Sequence, residues 1–579
     1  MLRWRRRCRW SAAGVICRRA AGAPGRDAIP LFRPVAGQLG AWRKLMTTDF
    51  AALWQQAEHL SGAGRHDLAR PLYARLISDR GFAPLAHLRL AVLDRRNGDL
   101  RGATTQALAA LAAAYADPDL MELLCKVLLT VGETRAALAC ADRLMGSQAR
   151  LESCAEVGKM LSDHMLPEAA LPLLRRAMAL GLANSPAIRY LVGLNLMYLG
   201  RLAEAREELE RSVAGDPSLA AAHWALSKLG PSDQRNQRVD RLRRQLAITQ
   251  DGAHDAPLLW YSLFQELDAS ADGKAAWCAL QRGLALRRAQ VRFGETAQEA
   301  LFAAAARGLA LATRVAGRAA GQTSGPTPVF VVGMPRTGTT IIEQQLCEMF
   351  AVASAGELRD LTVQMRWITR IPGAYQFDQI LLDALDENAL ALLGERYMAH
   401  AGWRAGGSRY FIDKWPDNYL AIGHILVAVP QARILCVRRS AVDTCFSNLK
   451  EWFGAGYYYS YDLAETARQY IRFDRLMGLV EAMCHPRVAF IEYEAFVRNP
   501  HAIAAKAGLE LGLPRREESS GGPGPTIATA STVQARQTID ARRIGAWRRY
   551  QAHLQPVIEL LAASGCSLER EDQQVPGHR

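Results

Sequence analysis

Long apolar runs are missing from this 579-residue sequence. The most apolar helical pattern, residues 300–315, is interrupted by Arg307 and Arg314, so no membrane-spanning helix is predicted. Cysteine pairs are missing too. The eleven cysteines include no CxxC spacing, and no His/Cys cluster has the intervals of a zinc site. That argues against a disulfide framework and a structural metal, and it suits the reducing cytoplasm. Acidic residues are nearly absent from 1–45, where eleven Arg and Lys face only Asp27, a local charge of +10. The formal net charge is +14, which leaves only +4 for the other 534 residues. A nucleic-acid-binding protein carries its basic stripe on the folded body, and this body is close to neutral. Residues 1–45 are expected to be a basic, disordered extension. Their apolar stretch SAAGVIC is too short for a secretory signal, a transit peptide fits the composition, and Met46 is an alternative start.

What is present is a globular balance, 50% hydrophobic and 22% charged, over a length that requires two or more domains. From 51 to 217 the chain repeats itself. Gly64, Gly98, Gly132, Met165 and Gly200 recur at intervals of 34, 34, 33 and 35, and a small alanine follows each by five residues: Ala69, Ala103, Ala137, Ala170 and Ala205. A helix–turn–helix period of 34 with a small residue in the second helix resembles the tetratricopeptide repeat (TPR), whose helix pairs stack into a solenoid because none buries its apolar face alone. After Pro231 the register slips. The charged segment 233–247 is expected to present a solvated helix face, and a further pair at 258–288 continues or caps the solenoid. The turn-forming cluster 321–326 ends this helical domain, assigned to 46–320.

Beyond it, short apolar runs at 329–332, 409–413, 433–437 and 487–493 alternate with helical patterns near 385–402, 418–428, 441–451, 462–483 and 541–562. Such alternation predicts a parallel sheet covered on both faces. The expected fold class is therefore multidomain: an all-α TPR-like solenoid, then an α/β, P-loop-like parallel-sheet domain over 327–565, with a tail at 566–579. The β-branched run 329–332 leads into Gly333-Met-Pro-Arg-Thr-Gly338-Thr339-Thr340 and then the helical pattern IIEQQLCEMF. Strand, glycine loop and helix start aim backbone N–H groups at an anion. Thr339 stands where the nucleotide-triphosphate motif GxxxxGK[ST] has its lysine, which argues against an ATPase or GTPase. The cation is inside the loop, at Arg336.

A loop of the form P-R-[ST]-G-T-T after a buried strand resembles the 5′-phosphosulfate loop of sulfotransferases that use 3′-phosphoadenosine 5′-phosphosulfate (PAPS). The resemblance implies donor contacts at Arg336, Thr337, Gly338, Thr339 and Thr340. The segment after RILCV matches the family's R-x-P-x-D-x-x-x-S at Arg439, Asp443 and Ser447, with Ala441 in place of the proline. It implies that Arg439 and Ser447 bind the 3′-phosphate, with Arg438 the competitor for the arginine's part. FIDKWPDNYL resembles the DKxPxN segment, which implies Lys414 at the bridging oxygen of the reacting group and Asn418 orienting or capping the next helix. AGELRDL is similar to the G-E-x-R stretch of protein-tyrosine sulfotransferases and their bacterial repeat-containing relatives, and implies Glu357 as general base. A first-turn helix charge is the plainer reading of Glu357, and Asp360 is then the next candidate base. Residues 529–554 resemble the terminal segment that closes over the nucleotide, with Ser531, Gln534, Arg536 and Trp547 at the expected contacts and Tyr493 on the adenosine side. His424, in an apolar helix, is read as a core histidine.

Taken together the resemblance implies a PAPS-dependent sulfotransferase, with Glu357, Lys414 and Arg336 as the catalytic set and no metal. The solenoid would recruit the acceptor or a partner protein, in the cytoplasm. Protein tyrosine, a glycan and a small hydroxyl compound are all open as acceptors. The alternatives are a non-catalytic repeat scaffold with a nucleotide-binding domain of this kind and, disfavoured by the missing lysine, a P-loop kinase.

Overall fold

The computed structural model describes residues 48–114, 118–230, 234–270, 272–315, 325–454, 456–516, 533 and 539–569. They divide into two compact units, and the division falls inside the repeats.

One unit comprises the described residues of Ala23–Asn184 together with Arg359–Gln376. It contains four helix pairs: Thr48–Gly62 with His66–Leu76, Ala83–Arg96 with Leu100–Ala113, Pro118–Thr130 with Thr134–Met145, and Leu151–Asp163 with Pro167–Ala177. The repeating glycine is a conformational requirement. Gly64, Gly98 and Gly132 have φ of 76°, 80° and 84°, a left-handed turn that a Cβ disfavours, and Met165 adopts it at 58° without being glycine. Five residues on, Ala69, Ala103, Ala137 and Ala170 are fully buried, which lets the paired helices approach closely. Segment 359–376 adds the helix Asp360–Thr369 to this unit. There the Arg101 guanidinium lies 4.1 Å from the centre of the Trp367 ring, and Tyr375 donates its hydroxyl to the Thr130 carbonyl at 2.5 Å.

The other unit comprises the described residues of Ser185–Leu358 and Phe377–Arg579. It begins with the pair Pro186–Tyr198 and Leu202–Gly215, which keeps the repeat's signature: Gly200 at φ 79° and a buried Ala205. The helices Ala220–Lys228, Arg235–Ile248, Ala256–Ala269, Gly273–Gln290 and Glu295–Val315 follow. The expectation of a solvated face at 233–247 is corrected at Arg238. Its side chain is buried, with ion pairs to Glu210 at 2.8 Å and Glu266 at 3.5 Å. Charge counting sees a polar helix; it does not see carboxylates on neighbouring helices that make burial of the guanidinium tolerable.

The sheet of this unit has five strands, β1 Thr327–Val332, β2 Val352–Ser354, β3 Tyr410–Asp413, β4 Arg433–Arg438 and β5 Val488–Glu492, in the order β2-β3-β1-β4-β5. Every pairing is parallel, with Val329 beside Ile412 and Val331 beside Leu435. β1 is the central strand, buried from Pro328 to Val332, as its unbroken apolar run requires. One face packs on the helices Thr339–Met349 and Pro500–Glu510 through Ile342, Leu346, Ala504 and Ala507. On another flank the helix Glu295–Val315 meets Ile422–Ala428 so closely that a Cβ on Gly423 would lie 2.2 Å from the Gly308 backbone. Because all five strands are parallel, the residues that follow them are gathered along one edge. Crevices at that edge are where sheets of this type bind ligands.

Candidate active site

Four candidate residues or segments begin immediately beyond the C-terminal end of a strand. The glycine loop starts one residue past β1, Lys414 one past β3, Arg439 one past β4 and Tyr493 one past β5; Glu357 lies three residues past β2. Strand order therefore brings together side chains that lie up to 157 positions apart in the chain.

The loop is held open by its backbone. Arg336 has φ 70°, and Gly338, which precedes the helix Thr339–Met349, has φ 104°. A Cβ on Gly338 would sit 2.4 Å from the Tyr493 ring, and one on Gly333 would sit 2.6 Å from the Val437 carbonyl oxygen, so both positions need glycine for space as well. Thr337 is buried and donates its hydroxyl to the Met334 carbonyl at 2.8 Å, a loop-internal bond. Thr339 and Thr340 open the helix and are nearly buried. Asn448, which carries no family motif in the sequence, donates to the Pro335 carbonyl at 2.8 Å and to the Thr444 carbonyl at 2.9 Å, tying the loop to the helix Ala441–Leu449.

Arg336 turns toward that same helix. Its Nε donates to Ser447 Oγ at 3.4 Å, and its Nη1 is 3.6 Å from Glu451 Oε2. Burial lowers the pKa of Arg336, and Arg439 and Arg543 push the same way, while Glu451 opposes them. Arg439 donates from Nη1 to the Arg336 carbonyl at 3.2 Å, pairs with Asp443 at 3.4 Å and lies 4.5 Å from the centre of the Tyr493 ring. Its buried Nε has no hydrogen-bond partner among the described residues. Arg438 takes another path, pairing with Glu481 at 2.8 Å and covering Phe490. Of the two adjacent arginines, Arg439 is the one whose described contacts reach the loop, at the Arg336 carbonyl.

The second cluster lies past β2 and β3. Lys414 is fully buried, and its Nζ is 2.5 Å from Glu357 Oε1, whose side chain keeps 20% of its exposure. Glu357 precedes the helix Asp360–Thr369, so it is not part of that helix's first turn. Two further acids, which belong to no motif, stand close by. Glu343, buried and accepting from Ser354 Oγ at 2.7 Å, has its pKa raised by burial against the pull of Lys414. Asp417 is pushed up to about 7 by burial, with the hydrogen bond from Tyr457 opposing and the Glu357 charge reinforcing. Asn418 is buried with both amide atoms lacking hydrogen-bond partners among the described residues. His424 is a core residue, with Nε2 3.2 Å from the Leu382 carbonyl and its pKa lowered by burial to about 4.

The terminal segment is present at Gly545, whose N–H donates to Asp443 Oδ2 at 2.9 Å, and at Arg543, whose charge is felt by Arg336. Trp547 is buried two residues on, with Arg548 over its ring; no described contact joins it to the arginine cluster. Ser531, Gln534 and Arg536 lie outside the described residues. Among the described residues no group of three or more His, Cys, Asp and Glu could hold a metal ion, and no helix is long and apolar enough to cross a membrane.

Residues 328–517 match the family model described as the sulfotransferase family. A protein of Aquifex aeolicus (strain VF5), described as uncharacterized, is 25% identical over 427 residues, 71% of this chain; the chain spans about half, 54%, of that relative's length. Among solved structures, the C-terminal part of a TPR repeat-containing protein from Cytophaga hutchinsonii aligns with 40% of this chain and 94% of its own, at 13% identity and a TM-score of 0.32. The sulfotransferase domain from the curacin biosynthetic pathway aligns with 42% of this chain and 100% of its own, at 14% identity and a TM-score of 0.29.

Proposed function

Residues 328–517 match the sulfotransferase family, and from that premise we propose that the chain is a TPR-containing sulfotransferase that transfers a sulfuryl group from PAPS to an acceptor hydroxyl. The observation that carries the reading is two groups of donors on one sheet edge that would serve as separate anion sites: the 333–340 loop, and Arg439 and Ser447, each in contact with Arg336. A donor with phosphates at both the 5′ and 3′ positions requires two such sites, whereas a nucleoside triphosphate requires one. The unpartnered Arg439 Nε fits a ligand with phosphate oxygens.

In this reading PAPS supplies the sulfuryl group, whose bond to the phosphate oxygen breaks as the acceptor oxygen bonds to sulfur. Glu357 removes the acceptor's proton at Oε1 or Oε2, which its partial exposure allows. Lys414, buried beside it, holds positive charge where the departing phosphate oxygen gains negative charge, and its burial strengthens that interaction. Arg336, the loop N–H groups and Thr337 to Thr340 orient the 5′ end; Arg439 and Ser447 hold the 3′-phosphate, and Tyr493 lies on the adenosine side. Ser531, Gln534, Arg536 and Trp547 are assigned to closure over the nucleotide. The helical repeats are proposed to recruit the acceptor, a protein tyrosine among the candidates, in the cytoplasm. Domain limits of 46–320 and 327–565, with flanking 1–45 and 566–579, are part of the same proposal.

Calorimetry tests the donor. The full chain should bind 3′,5′-bisphosphoadenosine without magnesium more tightly than Mg-ATP. Equal or tighter Mg-ATP binding defeats the reading in favour of a P-loop kinase or a general nucleotide scaffold.

A further inference from the structure

The helix Ala220–Lys228 belongs to the helical part of the chain and ends 99 residues before the sheet begins at Thr327, yet its last side chain is in the arginine cluster. Lys228 Nζ is 2.7 Å from Glu451 Oε2, and the same oxygen is 3.6 Å from Arg336 Nη1. Arg336 in turn reaches Ser447. Lys228, Glu451, Arg336 and Ser447 thus form one continuous chain of polar contacts within a single compact unit. The lysine is not a surface charge that happens to bend inward: its side chain is 9% exposed, and its Nζ lies 4.9 Å from the centre of the Trp224 ring.

The helix is fixed firmly enough to place it. In the helix Ala256–Ala269, Tyr261 donates its hydroxyl to the Leu449 carbonyl at 3.1 Å, and Gln265 donates to the Lys450 carbonyl at 3.0 Å. Both carbonyls belong to the turn that carries Glu451. Trp224 packs edge-on against Tyr261 at 6.2 Å.

Charge supplies the second argument. Lys228, Arg336, Arg439, Lys450 and Arg543 share this region with three carboxylates, Glu451, Asp443 and Asp268. The cations depress one another: burial lowers Lys228 and brings Lys450 down to about 8, with Arg336 adding to both. Gathering five cations in a desolvated place is unfavourable unless an anion joins them. The surplus of positive charge favours an anion such as a phosphate monoester, which carries about −1.5 to −2 near neutral pH.

We propose that Lys228, a residue of the helical repeats, is a phosphate-binding residue of the nucleotide site, acting beside Arg439 and Ser447 on the 3′-phosphate, with Glu451 as the counter-ion that holds Lys228 and Arg336 in place. The inference rests on the nucleotide reading above. It makes the helices after Ser185 a structural part of the donor site and not only a means of recruiting an acceptor.

The test compares two nucleotides on the full chain by calorimetry: 3′,5′-bisphosphoadenosine, and adenosine 5′-monophosphate, which lacks the 3′-phosphate. Lys228→Met keeps the aliphatic stem on Trp224 and removes the charge. It should weaken the bisphosphate about tenfold or more, as expected for a lost charge-assisted bond, and leave the monophosphate unchanged. Equal loss of both, or loss of neither, overturns the assignment. If Lys228→Met melts early, Lys228→Gln gives the same ratio in a polar substitute. The double variant Lys228→Met/Glu451→Gln should keep the bisphosphate-specific loss; recovery to wild-type affinity would reduce Lys228 to a partner of Glu451. Wild-type protein that binds neither nucleotide defeats the function reading itself, an outcome distinct from a bisphosphate-binding protein indifferent to Lys228.

Discussion

Replacing Arg439 by alanine removes one guanidinium and tests the geometry of the whole phosphate edge. In the structure that group spends Nη1 on the Arg336 carbonyl, contacts Asp443 at 3.4 Å and leaves Nε without a partner, so at least one strongly polar N–H is available to a ligand. Losing a charge-assisted hydrogen bond costs roughly 1.5–3 kcal/mol, which is about 10- to 150-fold in Kd at 1.4 kcal/mol per decade. The loss should appear in the titration of 3′,5′-bisphosphoadenosine. Folding should be little affected, because the packing of the β4 end is carried by Val437 and by Arg438 on Phe490. Arg438→Ala is the matched control for nucleotide affinity: it loses the pair with Glu481 and the cover of Phe490, and neither contact involves the loop. Nucleotide affinity within twofold of wild type for Arg439→Ala, or an equal loss for Arg438→Ala, would refute the placement of the 3′-phosphate.

Glu357→Gln should reduce turnover by about 10²–10⁴, the usual share of a general base, while donor affinity measured by calorimetry stays the same; Lys414→Ala should slow turnover and weaken the donor as well. Gly338→Ala should abolish nucleotide binding, because its Cβ would meet Tyr493 at 2.4 Å in a left-handed backbone; binding by a normally folded variant would contradict the loop geometry. Met165→Gly should raise the thermal midpoint, since it relieves about 1–2 kcal/mol of left-handed strain, partly offset by glycine's extra unfolded-state entropy. Two linkage effects oppose each other between about pH 6.5 and 4: burial lowers His223 and His424 to about 4, so there the unfolded chain binds protons the folded one does not, whereas burial raises Asp417 to about 7, so the folded chain binds one the unfolded does not. Asp417→Asn should therefore steepen the fall of the urea midpoint as pH drops through this range, and an unchanged slope would show that Asp417 is not held protonated.

The repeats were legible because their constraint is local. A left-handed turn and a small residue five positions later recur whatever surrounds them, and the φ values at Gly64, Gly98, Gly132 and Gly200 are what that pattern demands. β1, β3, β4 and β5 were legible for a similar reason, as short apolar runs with abrupt ends. β2 was not, being three residues without an apolar run. The placement of segment 359–376 with the helix pairs of Ala23–Asn184 was also invisible, because it depends on Trp367 and Tyr375 meeting residues more than 200 positions away. At the site, Lys414 and Arg439 could be read as strand-end residues. Lys228, Asn448 and Asp417 could not, since each owes its place to a tertiary contact and to no spacing in the chain.

The central claim is transfer of a sulfuryl group, and radiolabelled PAPS measures it directly. Incubated with the full chain and a fractionated lysate, it should leave label on an acceptor fraction with wild-type protein and almost none with Glu357→Gln, although both bind the donor equally. Label that appears equally with both proteins would contradict Glu357 as the base. Donor binding with no labelled fraction from the wild type would contradict the enzyme and leave a nucleotide-binding repeat scaffold.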